Sequence, residues 1–469
     1  MSTGFRSVSD DDFARVTIAQ AFARAPALDP TGTSWLPVPF WLAGGVMMAV
    51  GRSLFAARAI AVGLAVIATA LVFVAASWLA ESSAVGRKGA FYGAIAATIV
   101  PWSARLGVAT VPELPTAALT LVAVASLATP SPTRRAWGAL ALLAASLSRY
   151  EPWPVAALFA AFSVRDALGR GARVERLQLA AAGLAGLVGP SLWVTWNAVA
   201  HGSAFAFAER VAAYKQALGE GGSGGLASVL EYPTTAVLHE PELALLLVAA
   251  ALFARRASRI SGVSLGLAPF ARPALAVLGM TLLLSLASLR DAAPTHHPER
   301  ALLVVLLFGA VVLGHLVARV EVSRADGARL RVLGLALALF AGLVVRVRFA
   351  GALTFVERPD EVAIGEATSR LEPPEERVLV EVHGYGFFAT QAASGRPESL
   401  VLDRAWDPRK PPEISSFEDH TRLANKLAAT GARAFVTERA EMAESLGARL
   451  VTRSGALGLY VLPREPRDP

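Results

Sequence analysis

The chain has 469 residues, a mean hydropathy of +0.49 and only 17% charged residues, which is too apolar for an ordinary soluble enzyme. It contains no cysteine, which excludes disulfides, thiolate nucleophiles and cysteine-ligated metals. Its net charge of +7 rests mainly on arginines in short segments between apolar runs, so we expect no nucleic-acid partner. The composition predicts a multi-pass membrane protein, and its richness in Ala and Arg is typical of a bacterial plasma membrane.

The first predicted element is a short helix that begins near Ser9 in "SVSDDDFARV". Ser9 followed by Asp12 matches a capping box, and carboxylates in a first turn favour the helix dipole. Apolar residues then recur at helical spacing and predict a side that lies at the membrane surface: Phe13, Val16, Ala19 and Ala23.

Apolar runs follow that are long enough to cross a bilayer, or nearly so when flanking residues snorkel. We predict ten spans, near residues 59–80, 89–104, 114–129, 136–148, 153–164, 177–199, 242–254, 273–289, 301–318 and 331–345.

Charge in the loops predicts the orientation of these spans. Alternate loops, from 81–88 onward, hold sixteen Lys or Arg, whereas the opposite loops hold six. The positive-inside rule then makes the first set cytoplasmic and puts the N-terminal tail and the C-terminal region on the outer face. Since no apolar segment precedes the tail to carry it across, we expect that a membrane helix upstream of Met1 is missing.

The middles of the spans contain no Asp, Glu, Lys or Arg, which disfavours an ion-coupled transporter. Ionisable residues gather instead at the predicted outer ends, so any chemistry is expected at the outer rim. They are Asp10, Asp11, Asp12, Arg105, Glu113, Arg149, Glu151, Arg290, Asp291, His296, His297, Glu299 and Arg300.

The composition changes after the last span, where charged residues, Pro and Gly become frequent. "RVLVEVHGYG", "SLVLD", "ARAFVTE" and "ALGLYVLP" read as strands, and "FEDHTRLANKLAATG" as a helix. "HGYGFF" lacks the third glycine and the helix start of a dinucleotide-binding turn, and "GEGGSGG" reads as a linker. We predict a mainly α protein in three parts: an outer-face loop with surface helices (1–53), a helical membrane bundle (54–347) and an outer α/β domain (357–469).

Several motifs, in this order, resemble the GT-C superfamily of glycosyltransferases, in particular its protein mannosyltransferase and lipid A aminoarabinose transferase branch. The acidic cluster is similar to the family's Asp-Glu loop, with Asp11 at the Asp and Asp12 at the Glu. "SRYEPW" is similar to an Arg-Tyr-Glu-Gly-Trp turn, "WNAVAHGSAFAF" to an Asn-then-Gly loop and "HHPERALLVVLLF" to a His-x-Arg-Tyr helix start. The sequence departs from the family at Asp12, Pro152 and Ala301, where Glu, Gly and Tyr are usual.

The resemblance implies transfer of a sugar, with inversion, from a polyprenyl-phosphate donor to an outer-face glycan, lipid or protein acceptor. Asp11 would be the general base, positioned by Asp12 or Asp10. Arg300, and behind it Arg105 and Arg149, would bind the donor phosphate. Residues assigned to positioning the acceptor or a possible divalent cation are Glu113, His297, His296 and Glu151.

Plainer interpretations stay open for several of these residues. Glu113 could be a solvated loop acid, Glu151 an ion-pair partner of Arg149, and the adjacent histidines a poor chelating pair. Tyr150, Trp153, Trp193 and Trp196 read as interface aromatics or as a wall for a sugar. The alternative functions are a non-catalytic exporter or scaffold of cell-envelope polysaccharide, and an O-antigen ligase or polymerase with a diphosphate-linked donor. Convergence of Asp11, Glu113 and Arg300 on one cleft would favour the transferase over the scaffold.

Overall fold

The fold is known from a computed structural model that describes residues 7–32, 34–80, 82–219, 226–261, 264–289, 298–322, 328–350, 355–373 and 376–463. It is a helical bundle with a small C-terminal α/β domain, as the sequence predicted. The His296 and His297 predictions lie outside the described residues.

Two short helices precede the bundle, α1 (Asp10–Arg24) and α2 (Val38–Val50). The Asp12 half of the predicted capping box is present, because its Oδ2 accepts a hydrogen bond from the Ser9 amide at 3.2 Å. Phe13, Val16 and Ala19 are buried on the predicted face of α1. They pack on Met47 of α2 and on the C-terminal domain, so this face is covered by protein.

The bundle consists of helices of very different length. In chain order they are α3 (Leu54–Leu79), α4 (Ala84–Ile99), α5 (Pro101–Gly107), α6 (Glu113–Ala125), α7 (Pro132–Ser146), α8 (Pro152–Leu168), α9 (Arg173–Gly186), α10 (Val188–His201), α11 (Ala206–Ala217), α12 (Leu226–His239), α13 (Pro241–Ser261), α14 (Ala271–Ser288), α15 (Pro298–Ala301), α16 (Leu303–Val322) and α17 (Ala328–Val345).

Each predicted span overlaps a helix, but the spans at 89–104 and 177–199 each cover two, and the helices differ in their capacity to cross a membrane. Within the described residues, four helices are long and apolar enough to do so, and up to six if each bent pair is one span. The bent pairs are α9 with α10 (40°) and α12 with α13 (85°). α6, with 13 residues, and α7, with 15, are shorter than a full crossing.

The antiparallel pair of α4 and α16 defines the two ends of the bundle. Lys88 near the start of α4 pairs with Glu321 near the end of α16, with 3.1 Å between Nζ and Oε1. Near the other ends of the two helices, the Trp102 indole donates to the Glu299 carbonyl at 2.9 Å. Glycines allow this close packing, because a Cβ on Gly93 would lie 2.8 Å from the Val311 Cα.

The C-terminal domain is a five-stranded sheet of order β2-β1-β3-β5-β4, in which β2, β1 and β3 are parallel and β3, β5 and β4 antiparallel. Its elements are α18 (Pro359–Thr368), β1 (Val378–Val380), α19 (Phe387–Ser394), β2 (Leu400–Leu402), α20 (His420–Thr430), β3 (Ala434–Thr437), α21 (Ala440–Ser445), β4 (Arg449–Ser454) and β5 (Leu457–Val461).

Two sequence interpretations of this domain need correction. A helix, α19, does begin directly after "HGYG", where we expected none. The edge strand β4 was missed because its side chains are mostly exposed and therefore show no apolar alternation.

The C-terminal domain docks on α1. The buried Gln20 amide donates at 2.7 Å to the carbonyls of both Arg52, after α2, and Ala392, in α19. Ser7 forms a β-bridge with Val356, and Glu398 forms ion pairs with Arg24 and Arg52. The helix that carries the acidic cluster is therefore held between the bundle and this domain.

Candidate functional site

The three adjacent aspartates of α1 occupy three different environments. Asp10 forms a two-pronged ion pair with Arg358, at 3.0 and 2.9 Å. Asp12 is fully buried, whereas the Asp11 side chain is 35% exposed and lies 3.5 Å from Nη1 of Arg300. Asp11 is therefore the carboxylate of the three that is both accessible and near the other charged groups.

Asp12 fixes the start of α1 to a neighbouring loop. Its Oδ2 accepts from the Val8 amide at 2.9 Å, and its Oδ1 from the Thr110 amide at 2.8 Å and the Thr110 hydroxyl at 3.2 Å. Burial raises the pKa of Asp12 to about 6, although these backbone donors oppose the shift. The contacts make Asp12 a structural anchor that positions the first turn of α1.

Arg300, just before α16, lies between Asp11 and Glu113. Its Nη1 is 3.9 Å from Oε1 of Glu113, and its Nη2 donates to the Ser9 hydroxyl at 3.0 Å. Glu113 is the first residue of α6, where the helix dipole favours a carboxylate. It is 2% exposed, so the structure excludes the solvated loop acid that the sequence left open.

Arg149, in the turn after α7, joins this group from the other side. Its Nη1 donates to Glu113 at 2.7 Å, and its Nε lies 3.0 Å from Glu151. Glu151 is thus an ion-pair partner of Arg149, which is one of the two interpretations that the sequence allowed. Five of the predicted residues therefore converge: Asp11, Glu113, Arg149, Glu151 and Arg300. Arg300 joins them although it lies 291 residues after its partner Ser9.

Sequence reasoning missed Arg15, which belongs to the same group. The central carbon of the Arg15 guanidinium lies 4.3 Å from the ring centroid of Trp35. The negative charges of Glu113 and Asp11 favour its charged form. Burial lowers the pKa of Arg15, and the two carboxylates oppose this. Its position four residues after Asp11, on the same helix face, was the available signal.

Several buried polar atoms in this group have no hydrogen-bond partner among the described residues. They are Nε of Arg15, Nε of Arg300 and Oε2 of Glu113. Native structures seldom leave such atoms unsatisfied unless a ligand or water completes them. The cluster thus offers two donors on cations and one acceptor on a carboxylate to a polar ligand, with Asp11 at its edge.

Two predicted residues also make contacts with other parts of the chain. The guanidinium carbon of Arg105 lies 4.9 Å from the ring centroid of Trp102 and 5.6 Å from that of Phe355. Burial lowers the pKa of Arg105, and the charge of Arg300 adds to the effect. Asp10 is held by Arg358, so it secures the first turn of α1 and makes no described contact with Asp11.

An apolar groove runs from this cluster between α1, α2, α3 and α6. It is partly open to the surroundings. Arg15 and Thr110 lie on its wall, together with apolar residues that include Val16, Leu64 and Leu119. The groove therefore joins one cation of the cluster, Arg15, to a mostly apolar wall.

The predicted aromatics form a packed cluster. The Tyr150 ring stacks on Phe207 at 4.6 Å, its hydroxyl donates to the Ser34 carbonyl at 2.6 Å, and it accepts from the Trp193 indole at 3.1 Å. Trp196 lies 3.4 Å from Asp29 in the same loop between α1 and α2. These rings anchor that loop, which carries Trp35, the residue under Arg15.

The described residues contain no group of three or more His, Asp or Glu that could hold a metal ion. Asp11 and Glu113 instead share Arg300, a cation that already faces both carboxylates. A role for a divalent cation stays a prediction.

No protein-family model and no curated protein matches the chain. Solved structures match its fold. The crystal structure of ArnT from Cupriavidus metallidurans bound to undecaprenyl phosphate has a TM-score of 0.60 and 14% identity, over 97% of this chain and 94% of that chain. The apo state of the same protein has a TM-score of 0.57 and 14% identity, over 96% and 92%. ArnT is a lipid A aminoarabinose transferase of the GT-C type, so the resemblance predicted from the motifs is confirmed for the fold.

Proposed function

We propose that this chain, which has the fold of a GT-C membrane glycosyltransferase, transfers a sugar from a polyprenyl-phosphate donor to an acceptor. The observation that carries the proposal is the convergence of Asp11, Glu113, Arg300 and Arg15, the last of which also lines an apolar groove. The buried unpaired atoms of three of these residues fit a polar ligand.

The arginines suit the leaving group of this reaction. Polyprenyl phosphate departs with growing negative charge, which guanidinium groups in a dry site stabilise. Arg300 and Arg15 have unused buried donors, whereas Arg149 is largely occupied by Glu113 and Glu151. We therefore place the phosphate at Arg300 and Arg15, with Arg149 holding Glu113 in place.

Asp11 is suited to activate the acceptor. An acceptor hydroxyl loses its proton as it attacks the anomeric carbon, and a fixed, accessible carboxylate can take that proton. Asp11 is the exposed aspartate, and Asp12 and Asp10 hold its helix turn from both sides. Attack from the face opposite the phosphate would invert the anomeric centre.

The apolar groove suits the polyprenyl chain. Its wall is almost entirely hydrophobic, and Arg15 and Thr110 lie on it close to the phosphate position. The similar ArnT structure holds undecaprenyl phosphate, a lipid of this class. Because the loop charges point the site outward, we propose that the reaction takes place on the outer face of a bacterial plasma membrane.

The scaffold or exporter alternative gains no support from this arrangement. It predicted dispersed positions for Asp11, Glu113 and Arg300, whereas Arg300 contacts both carboxylates.

The proposal is tested by sugar transfer from a panel of labelled polyprenyl-phosphate sugars in membranes that contain the protein. We expect transfer with the wild type and a loss of at least about 1,000-fold with Asp11→Asn, because the near-isosteric amide cannot accept the proton. Asp419→Asn is the matched control, since Asp419 caps α20 and Asn caps helices equally well. Full activity of folded Asp11→Asn would refute the assignment of the base, and no transfer from any donor by folded protein would refute the reaction.

A further inference from the structure

The C-terminal sheet has a topological switch point between β1 and β3. The chain leaves β1 through α19 toward β2 on one side, and it leaves β3 through α21 toward β4 and β5 on the other. In open α/β sheets, ligands bind in the crevice outside the carboxyl ends of two such strands.

Polar side chains from both strand ends meet at this point. Glu381 directly follows β1, and its side chain is 1% exposed. Its carboxylate accepts from the Thr437 hydroxyl at the end of β3 and lies 3.3 Å from Nε2 of His383 and 2.9 Å from Nε of Arg439. One buried carboxylate therefore orients both the His383 imidazole and the Arg439 guanidinium.

Each of these side chains keeps an unused donor when His383 is protonated. His383 uses Nε2 for Glu381, and Arg439 uses Nε for Glu381 and Nη1 for the Phe417 carbonyl at 3.0 Å. Among the described residues, Nδ1 of His383 and Nη2 of Arg439 have no partner, and both side chains are 41% exposed. A ligand that accepts two charge-assisted hydrogen bonds fits this pair.

Aromatic rings lie at the same end of the sheet. Tyr385 is two residues beyond His383, and its ring meets the Trp406 ring edge-on with centroids 6.2 Å apart. Trp406 follows β2 and is 39% exposed. The exposed Trp406 ring and the adjoining, partly buried Tyr385 ring lie at the same end of the sheet as His383 and Arg439, which favours a ligand with an apolar face and an anionic substituent, as in an acidic sugar.

The crevice is connected to the bundle. The Tyr385 and Tyr214 hydroxyls lie 2.8 Å apart, which joins the β1–α19 loop to α11. In the same domain, Glu361 pairs with Arg358, which in turn holds Asp10 beside Asp11. A ligand in the crevice would thus be held by the domain that fixes the α1 turn.

We propose that His383, Arg439, Tyr385 and Trp406 form a binding site for an anionic group on a sugar, and that this site captures the acceptor. The assignment to the acceptor rests on the proposed transferase function, whereas binding of the anionic sugar does not.

The test is binding of glucose 1-phosphate to the purified full-length protein in detergent, with glucose and inorganic phosphate as comparison probes. We expect His383→Gln and Arg439→Gln each to weaken binding by roughly 10-fold or more, the loss of one charge-assisted hydrogen bond. Arg449→Gln is the matched control. Arg449 is exposed at the start of β4 and lies opposite Val461 of β5. Val461 in turn lies opposite Ala434 at the start of β3. Arg449 is therefore at the other end of the sheet from His383 and Arg439.

The pH dependence gives a second readout. The hydrogen bond to Glu381 raises the pKa of His383 above its ordinary 6.5; Glu438 adds to this, while burial and Arg439 oppose it. The contribution of His383 should therefore be strongest below its raised pKa and weaken as pH rises through it. His383→Gln should remove that contribution and leave only the dependence that comes from the second ionisation of the phosphate, at a pH of about 6.

The outcomes separate this site from the proposed reaction. Equal losses in Arg439→Gln and Arg449→Gln, or no binding at all, would overturn the site even if sugar transfer is observed. If inorganic phosphate binds as tightly as glucose 1-phosphate, the proposal that the site recognises a sugar is contradicted. Intact binding by Asp11→Asn, together with lost transfer, would support both proposals.

Discussion

At the scale of the residue, three identical side chains in a row take three roles because each meets a different part of the chain. Asp12 is surrounded by amide donors, Asp10 by Arg358, and Asp11 by Arg300 and solvent. Chemical reactivity requires accessibility together with a nearby charge, and only the contacts of the folded chain distinguish Asp11 in this respect.

Arg15 provides a prediction at this scale. Arg15→Gln should lower kcat/KM for the donor by roughly 10- to 100-fold, because it removes one charge-assisted hydrogen bond to phosphate. The KM for the acceptor should change little. Steady-state kinetics with each substrate varied in turn would measure both.

Arg176→Gln is the control for this prediction, since Arg176 is an exposed cation on α9, away from α1 and the C-terminal domain. Equal loss of donor and acceptor use in Arg15→Gln would point to a general defect of α1 and contradict the phosphate role.

At the scale of the element, short and tightly packed helices position the site. α4 and α16 approach closely through Gly89, Gly93 and Gly314, and they carry the segments that lead to Trp102 and Arg300. Glycine is required here because backbone of the partner helix occupies the space of a side chain.

Alanine substitutions of two helical glycines should therefore have opposite effects. Gly93→Ala would place a Cβ 2.8 Å from the Val311 Cα and should destabilise the fold by about 1–3 kcal/mol. Gly63→Ala on α3 meets nothing within 4 Å and should be neutral or stabilise by up to about 1 kcal/mol, since Ala favours helix. Denaturation of the two variants in detergent would measure the difference, and equal effects would contradict the packing argument.

At the scale of the whole molecule, the C-terminal domain and the bundle share α1. One face of α1 carries Asp11 and Arg15. Another part of the helix, with Phe13, Val16 and Gln20, is buried against neighbours that include α19. Loss of docking should therefore disturb the site without a direct change to any of its residues.

Gln20→Leu tests this connection. It removes the amide that donates to the carbonyls of Arg52 and Ala392, and the loss of these two hydrogen bonds should cost about 1–3 kcal/mol in total. We expect faster hydrogen exchange in both α1 and α19, together with reduced transfer. Gln178→Leu, at an exposed position of α9, is the control and should change neither. Faster exchange in α19 alone would show that the domain does not hold α1.

The sequence by itself determined the local features of this protein. Long apolar runs predicted the helices, the Ser9 and Asp12 spacing predicted the start of α1, and apolar strands such as "RVLVEV" predicted much of the sheet. These features follow from patterns a few residues long, so composition and periodicity reveal them. The ordered motifs were also sufficient to predict the GT-C fold.

Only the tertiary structure decided which residues form the site. Arg300 and Ser9 are 291 residues apart, and no local pattern states that they meet. The same holds for Arg15 over Trp35, for Glu381 between His383 and Arg439, and for Arg105, which stacks on Trp102. Contacts of this kind depend on how helices and strands pack over long sequence separations, and a mostly exposed strand such as β4 shows too little apolar pattern to be found in advance.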